Sequence, residues 1–317
     1  MNMHLINAFK VLQPGPFTTL QDAGRFGVRH LGISQGGAID LYSWAWANYL
    51  VGNAWGAAAL EITFGGLKLQ ACHDLYLALS GAELGAEIDG HSVEPWTTVC
   101  IHRGQILSFN QPRNGLRAYL AIAGGFQGKP LLGSLATVYR EQLGGPQGDG
   151  QPLAAGDHLQ AQAVYSSTQP QAAKIPSIER PDYSQPVMLD CIIGAQADAF
   201  SATSLFNFFN HKWTIDNHSD RMGIRLNGPL LSCSISNLIS EGLTLGAIQV
   251  PPNGQPIILM NDRQTIGGYP RLGNITPLSC ARLAQCLPGQ HINFRAIPLE
   301  TAFRQHLRFL RQFGQVK

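Results

Sequence analysis

Two Asp-Arg steps flanked by glycine stand out in a chain of 317 residues of which only 13% are charged, against ~25% in an average globular protein. One lies in Asn217-His218-Ser219-Asp220-Arg221-Met222-Gly223, the other in Asn261-Asp262-Arg263-Gln264-Thr265-Ile266-Gly267-Gly268-Tyr269-Pro270. Arginine can hold a carboxylate or phosphate at two points, and aspartate can accept a proton or orient the arginine. Glycine lets backbone N–H groups approach an anion. Arg221 and Arg263, with Ser219, Gln264 and Tyr269, are therefore candidates for holding a substrate or phosphate. Asp220 and Asp262 are candidate bases, joined by Glu241 from the intervening Ser240-Glu241-Gly242. Gln21-Asp22-Ala23-Gly24-Arg25, followed by Arg29-His30, repeats the chemistry near the start and adds Asp22 and Arg25 as binding candidates. The competing reading is that each Asp-Arg pair only braces a turn between strands.

Other motifs carry less. Gly32-Ile33-Ser34-Gln35-Gly36 matches the GxSxG spacing of a hydrolase nucleophile elbow, but the strand-turn-helix setting of that elbow is missing. Gly124-Gly125-Phe126-Gln127-Gly128-Lys129 is one residue short of a phosphate loop, with Pro130 where Ser or Thr belongs. It reads as a tight turn after a strand over Leu116–Ala123. The ten histidines and six cysteines form no HxH, HExxH or CxxC pair, so neither a metal site nor a disulfide framework is expected.

The elements that must position these residues are mostly strands. The 35 glycines and 19 prolines punctuate short apolar runs, a pattern of β architecture. Asp89-Gly90 predicts a hairpin within Ala86–Val93, and Pro251-Pro252-Asn253-Gly254 predicts one within Ala247–Leu259. Gly104, Gly156 and Gly289 each open a turn that feeds an alternating segment. Helices are few. One is capped by Asp40, runs to about Val51, stops at Gly52 and is strongly apolar; one starts at Asp198 or Ser201 and runs toward Phe209; one covers Leu299–Phe313 with Phe303, Leu307 and Leu310 on one face. The lack of βαβ alternation argues against Rossmann and TIM folds.

At about 150 residues per domain the length suggests two domains. The Ser-, Gln- and Pro-rich stretch 166–185 reads as a linker between an N-terminal β unit, 1–165, and a C-terminal barrel, 186–317, or as an ordered strap over the surface. Net charge is +2 with no sustained basic patch, so nucleic acid is not a partner; Arg304, Arg308, Arg311 and Lys317 read as the solvated face of the terminal helix. No apolar run is long enough to span a membrane, and the first 20 residues lack a secretory core, so the expectation is a cytoplasmic protein.

Thr18-Thr19-Leu20-Gln21-Asp22-Ala23-Gly24-Arg25, Gly37-Ala38-Ile39-Asp40, Ala47-Asn48-Tyr49-Leu50-Val51-Gly52-Asn53, Tyr119-Leu120-Ala121-Ile122-Ala123-Gly124-Gly125, Ser219-Asp220-Arg221-Met222-Gly223, Gly246-Ala247-Ile248-Gln249-Val250-Pro251 and Asp262-Arg263-Gln264-Thr265 occur in this order. Together they resemble the family of KipA, allophanate hydrolase subunit 2 and the C subunit of 5-oxoprolinase, also described as biotin-dependent carboxyltransferases. The resemblance implies a mostly β fold with two cyclophilin-like β-barrel units and a few short helices. It implies a hydrolase complex with a KipI-like B subunit and a LamB/YcsF-like A subunit, which opens 5-oxo-L-proline to L-glutamate with ATP bound at a composite site or on another chain. Alternatives are a carboxyltransferase component using biotin delivered on another chain, and a non-catalytic KipA-type regulator that binds a KipI-like partner. In the hydrolase, Arg221 and Arg263 would hold a phosphate and Asp220, Asp262 or Glu241 would activate water. After Leu132-Gly133-Ser134 the family usually carries a basic residue and a serine, whereas here Leu135 and Ala136 precede Thr137.

Overall fold

The computed structural model describes residues 4–164, 173–235 and 238–316. The chain forms two compact units, Met1–Phe26 with Gly36–Ser184, and Gly27–Gln35 with Gln185–Lys317. Both are built mainly from strands, as the turn-rich composition requires, and four α-helices occur among the described residues. None of these helices is long and apolar enough to cross a membrane.

In the first unit a seven-stranded and a five-stranded sheet share one apolar core. Phe9, Val11, Leu67, Leu69 and Leu107 from one sheet and Leu20, Leu60, Ile62, Leu79 and Leu120 from the other are sealed from water within it. Asp89 and Gly90 both take positive φ, +48° and +83°, the type I′ turn that matches strand twist. They join Ala86–Ile88 to His91–Ser92 as expected. Helix α1, Leu41–Leu50, begins where Asp40 accepts the Ser43 N–H at 3.0 Å. It stops as expected, with Gly52 at φ +72°. Trp44 and Trp46 are buried, but Tyr49 is exposed, so the apolar stretch is only partly inside.

The linker expectation falls partly on 166–172, which lie outside the described residues. From Ala173 the chain is a strap laid on the first unit. Ala173 and Thr98 exchange hydrogen bonds, Ile175 and Tyr183 are buried, and the Tyr183 hydroxyl meets Ser43 at 3.1 Å.

The second unit is a closed seven-stranded barrel. Its strand order runs 187–193, 271–275, 247–249, 257–259, 223–227, 213–215 and 291–296, and it closes through the parallel pairing of Val187–Ile193 with His291–Ala296. Helix α2, Ala202–Asn210, is capped by Ser201 and seats Phe208 on Phe294 with ring centroids 4.2 Å apart. Helix α3, Pro277–Leu283, was not expected; it starts at a Thr276 cap with proline in its first turn, a local start signal in its own right. Helix α4, Leu299–Gln312, lies where expected but buries Ala302 and Phe309 and leaves Phe303 exposed. The segment Gly27–Gln35 belongs to this unit. Arg29 donates to the Leu243 carbonyl at 2.5 Å, and Ser34 donates to that of Arg263 at 3.1 Å.

Candidate functional site

The expected hairpin brings Ala247–Gln249 and Ile257–Leu259 side by side, and Gly223–Asn227 pairs on the far edge. Residues opposite each other in a ladder share a face, and successive residues alternate faces. Ile248, Ile258 and Ile224 therefore form one row, all buried. Gln249, Ile257 and Arg225 form the next row, on the opposite face. Gly223 pairs with Leu259, at a point where a β-carbon would come within 3.0 Å of Ile257 Cγ2. These strands floor a cleft of about 180 Å³ that is also lined by His218, Asp220, Met222, Arg263, Gln264 and Tyr269.

The two Asp-Arg steps meet here. The Arg221 Nε and Nη2 each donate to a different oxygen of Asp262 at 2.9 Å, and the Asp262 N–H donates to the Arg221 carbonyl. This buried pair supports the floor and does not line the cleft. Asp220, exposed at the cleft, accepts the N–H groups of Met222 and Gly223 at 2.8 and 3.1 Å. Ser219 accepts the Arg225 N–H at 3.1 Å and so shapes the loop without reaching the cleft wall. Of the residues named from sequence, Asp220, Arg263, Gln264 and Tyr269 line this space together.

Two buried donors distinguish it. Arg263 is 3% exposed. Its Nη1 and Nη2 donate to the Met260 carbonyl and to Gln35 Oε1, at 3.0 and 3.2 Å, but its Nε has no partner. Gln249 is 2% exposed and its Nε2 is also unpartnered. A buried donor without an acceptor costs about 1–3 kcal/mol, and the two residues that carry these donors both line the cleft. Burial, with the Arg29 charge second, pushes the Arg263 guanidinium down to about 10, so it stays charged at neutral pH. Gly267 keeps the space open. A β-carbon there would come within 2.9 Å of Gln249 Nε2 and 3.1 Å of Gln264 Nε2. Gln249 was not among the residues expected to act. The available signal was a lone amide inside the apolar run Ala247-Ile248-Gln249-Val250, but its partnerless state depends on the fold.

The other candidates stand elsewhere. Glu241 is held by Arg271 and by Gln196, whose Nε2 lies 3.2 Å away. Asp22 and Arg25 are in the first unit and brace one loop. Asp22 accepts the Ser134 hydroxyl at 2.7 Å and the Leu135 N–H at 2.6 Å, while Arg25 donates to the carbonyls of Leu131 and Ala136. Leu135 and Ala136 sit in that braced loop. Ser34 is buried and donates to main-chain carbonyls, so it is not the exposed nucleophile of an elbow.

Residues 31–296 match the carboxyltransferase domain, subdomain A and B. The chain is 37% identical to the 5-oxoprolinase C subunit of Escherichia coli over 97% of both chains. It is 35% identical to the Haemophilus influenzae protein of the same name over 90% of this chain and 89% of that one. It also overlays the crystal structure of Kluyveromyces lactis urea amidolyase with a TM-score of 0.90 at 29% identity, covering 98% of this chain and 20% of that one. The match along most of the sequence, the barrel and the ordered Asp-Arg turns agree, and the chain belongs to the carboxyltransferase-domain family, subdomains A and B, alongside the 5-oxoprolinase C subunits.

Proposed function

We propose that this chain is the C-type subunit of an ATP-dependent 5-oxoprolinase, acting with a KipI-like B subunit and a LamB/YcsF-like A subunit, and that its barrel cleft seats the ring amide of 5-oxo-L-proline. The observation that carries this reading is the pair of unpartnered buried donors, Gln249 Nε2 and Arg263 Nε, on one small cleft. A carbonyl or carboxylate oxygen seated between these two side chains would take a donor from each as they turn toward it, and the charged guanidinium favours charge growing on that oxygen as the carbonyl carbon is attacked. Gln264 and Tyr269 supply further polar contacts, and Asp220 supplies a carboxylate. Arg221 and Asp262 act from beneath by holding the floor. At about 180 Å³ the cleft is smaller than the ~300–1,000 Å³ of drug-sized ligand sites. It suits a five-membered ring and does not fit a nucleotide, so ATP is assigned to a partner chain or a composite site.

Urea is likewise a planar amide, and the overlay with urea amidolyase favours carboxyl transfer as a second reading, with biotin carried on another chain. The test is co-purification with the products of neighbouring genes, followed by assays of the complex. ATP hydrolysis that depends on 5-oxoproline and disappears in Gln249→Leu supports the proposal. Full activity of the isolated chain defeats the assignment to a multi-chain enzyme. Turnover that depends on urea and biotin favours the second reading, and an intact but inactive complex favours a regulator.

A further inference from the structure

An aspartate–histidine pair stands at the mouth of the same cleft. His218 Nδ1 lies 2.8 Å from Asp216 Oδ1, which also accepts the His218 N–H at 2.8 Å. Asp216 Oδ2 accepts the Asn227 amide at 2.7 Å. With these donors around it, led by the His218 N–H, the Asp216 carboxyl falls to about 2 and remains ionised. An ionised acceptor at Nδ1 places the neutral ring's proton there and the lone pair on Nε2, the reverse of the tautomer favoured in water. The side chain is 87% exposed, so Nε2 is open to solvent. His218 also lies on a wall, shared with Arg225 and Ile257, between the cleft and an adjoining groove of about 400 Å³.

We propose that His218, oriented by Asp216 and Asn227, is the proton-transferring residue of this cleft. The inference rests on the amide-seating reading above. As a water oxygen bonds to the ring carbonyl carbon, His218 Nε2 takes a proton from that water. The ring C–N bond then breaks, its electron pair stays on nitrogen, and Nε2 returns the proton there. One water is added and the new carboxyl and amine appear as carboxylate and ammonium. ATP, assigned above to a partner chain or a composite site, supplies the drive for the opening. Asp216 and Asn227 are positioning residues that act through the imidazole.

The test has two arms. Nitrogen-15 NMR of the full chain, with His218 assigned by its loss in His218→Asn, should show the neutral ring protonated on Nδ1, and Asp216→Asn should move the ring toward the Nε2–H form. In the purified complex, His218→Asn should lower kcat by about 100-fold, within the span usual for general acid–base groups, with KM and partner co-purification unchanged. Asp216→Asn should lower kcat less and leave KM unchanged. An Nε2–H tautomer in the wild-type chain, or a His218→Asn complex with wild-type kcat, overturns the proposal. If the complex turns over another amide instead, the 5-oxoproline reading falls and the same kcat comparison on that amide decides the role of His218.

Discussion

Arg221 and Asp262 are joined at two points, each guanidinium nitrogen 2.9 Å from its own carboxylate oxygen, with both side chains 8% exposed. So little solvent reaches the pair that each charge depends on the other. Removing one partner strands the other in a poorly solvated place, which costs about 3–5 kcal/mol, whereas replacing both with apolar groups of similar volume costs far less. Asp262→Ala should therefore destabilise the chain strongly in urea titration, and Arg221→Met with Asp262→Leu should recover most of the loss. Additive losses in the double variant would contradict this account.

Gln249 separates stability from binding. Its buried amide nitrogen has no partner, so Gln249→Leu removes a cost of about 1 kcal/mol or more and leaves stability unchanged or slightly raised. The same change should weaken 5-oxoproline binding at least tenfold by calorimetry. Gly267→Ala should also weaken binding. Its new methyl meets the ends of Leu243, Gln249 and Gln264 at 2.8–3.1 Å, and the two amides can swing away only by leaving their places at the cleft.

Leu132 is the exposed first centre of a type I′ turn, with φ +51° ahead of Gly133 at +78°, closed by mutual bonds between Leu131 and Ser134. Leucine is strained there, whereas Asn-Gly is the preferred pair. Leu132→Asn should raise stability by about 1 kcal/mol, read as a higher denaturant midpoint with an unchanged slope.

Arg263 has a signature in alkali. Its folded value is depressed to about 10 by burial, below that of the unfolded chain, so between the two the unfolded state binds more protons. Its contribution to stability therefore rises with pH above about 10, while binding of an oxygen ligand falls as the charge is lost. A difference titration against Arg263→Met should show both trends in the wild type only.

The amino-acid sequence alone determined much of the scaffold. Asp40 with Gly52, Asp89-Gly90, and Gly104, Gly156 and Gly289 each start or stop an element through chemistry within a few residues, and the strands at Ile106, His158 and His291 follow as expected. It also concentrated attention on Asp220, Arg263, Gln264 and Tyr269, because charge and amides are scarce and gathered at glycine turns. Only the tertiary structure decided which of these chemically similar side chains are already satisfied. Asp262 is occupied by Arg221, Glu241 by Arg271, and Asp22 and Arg25 by a loop in the other unit, while Gln249, one amide in an apolar strand, is left with a buried donor that has no acceptor. Partnership of a polar group depends on atoms brought near by strand register from tens of residues away, and local sequence holds no record of that distance.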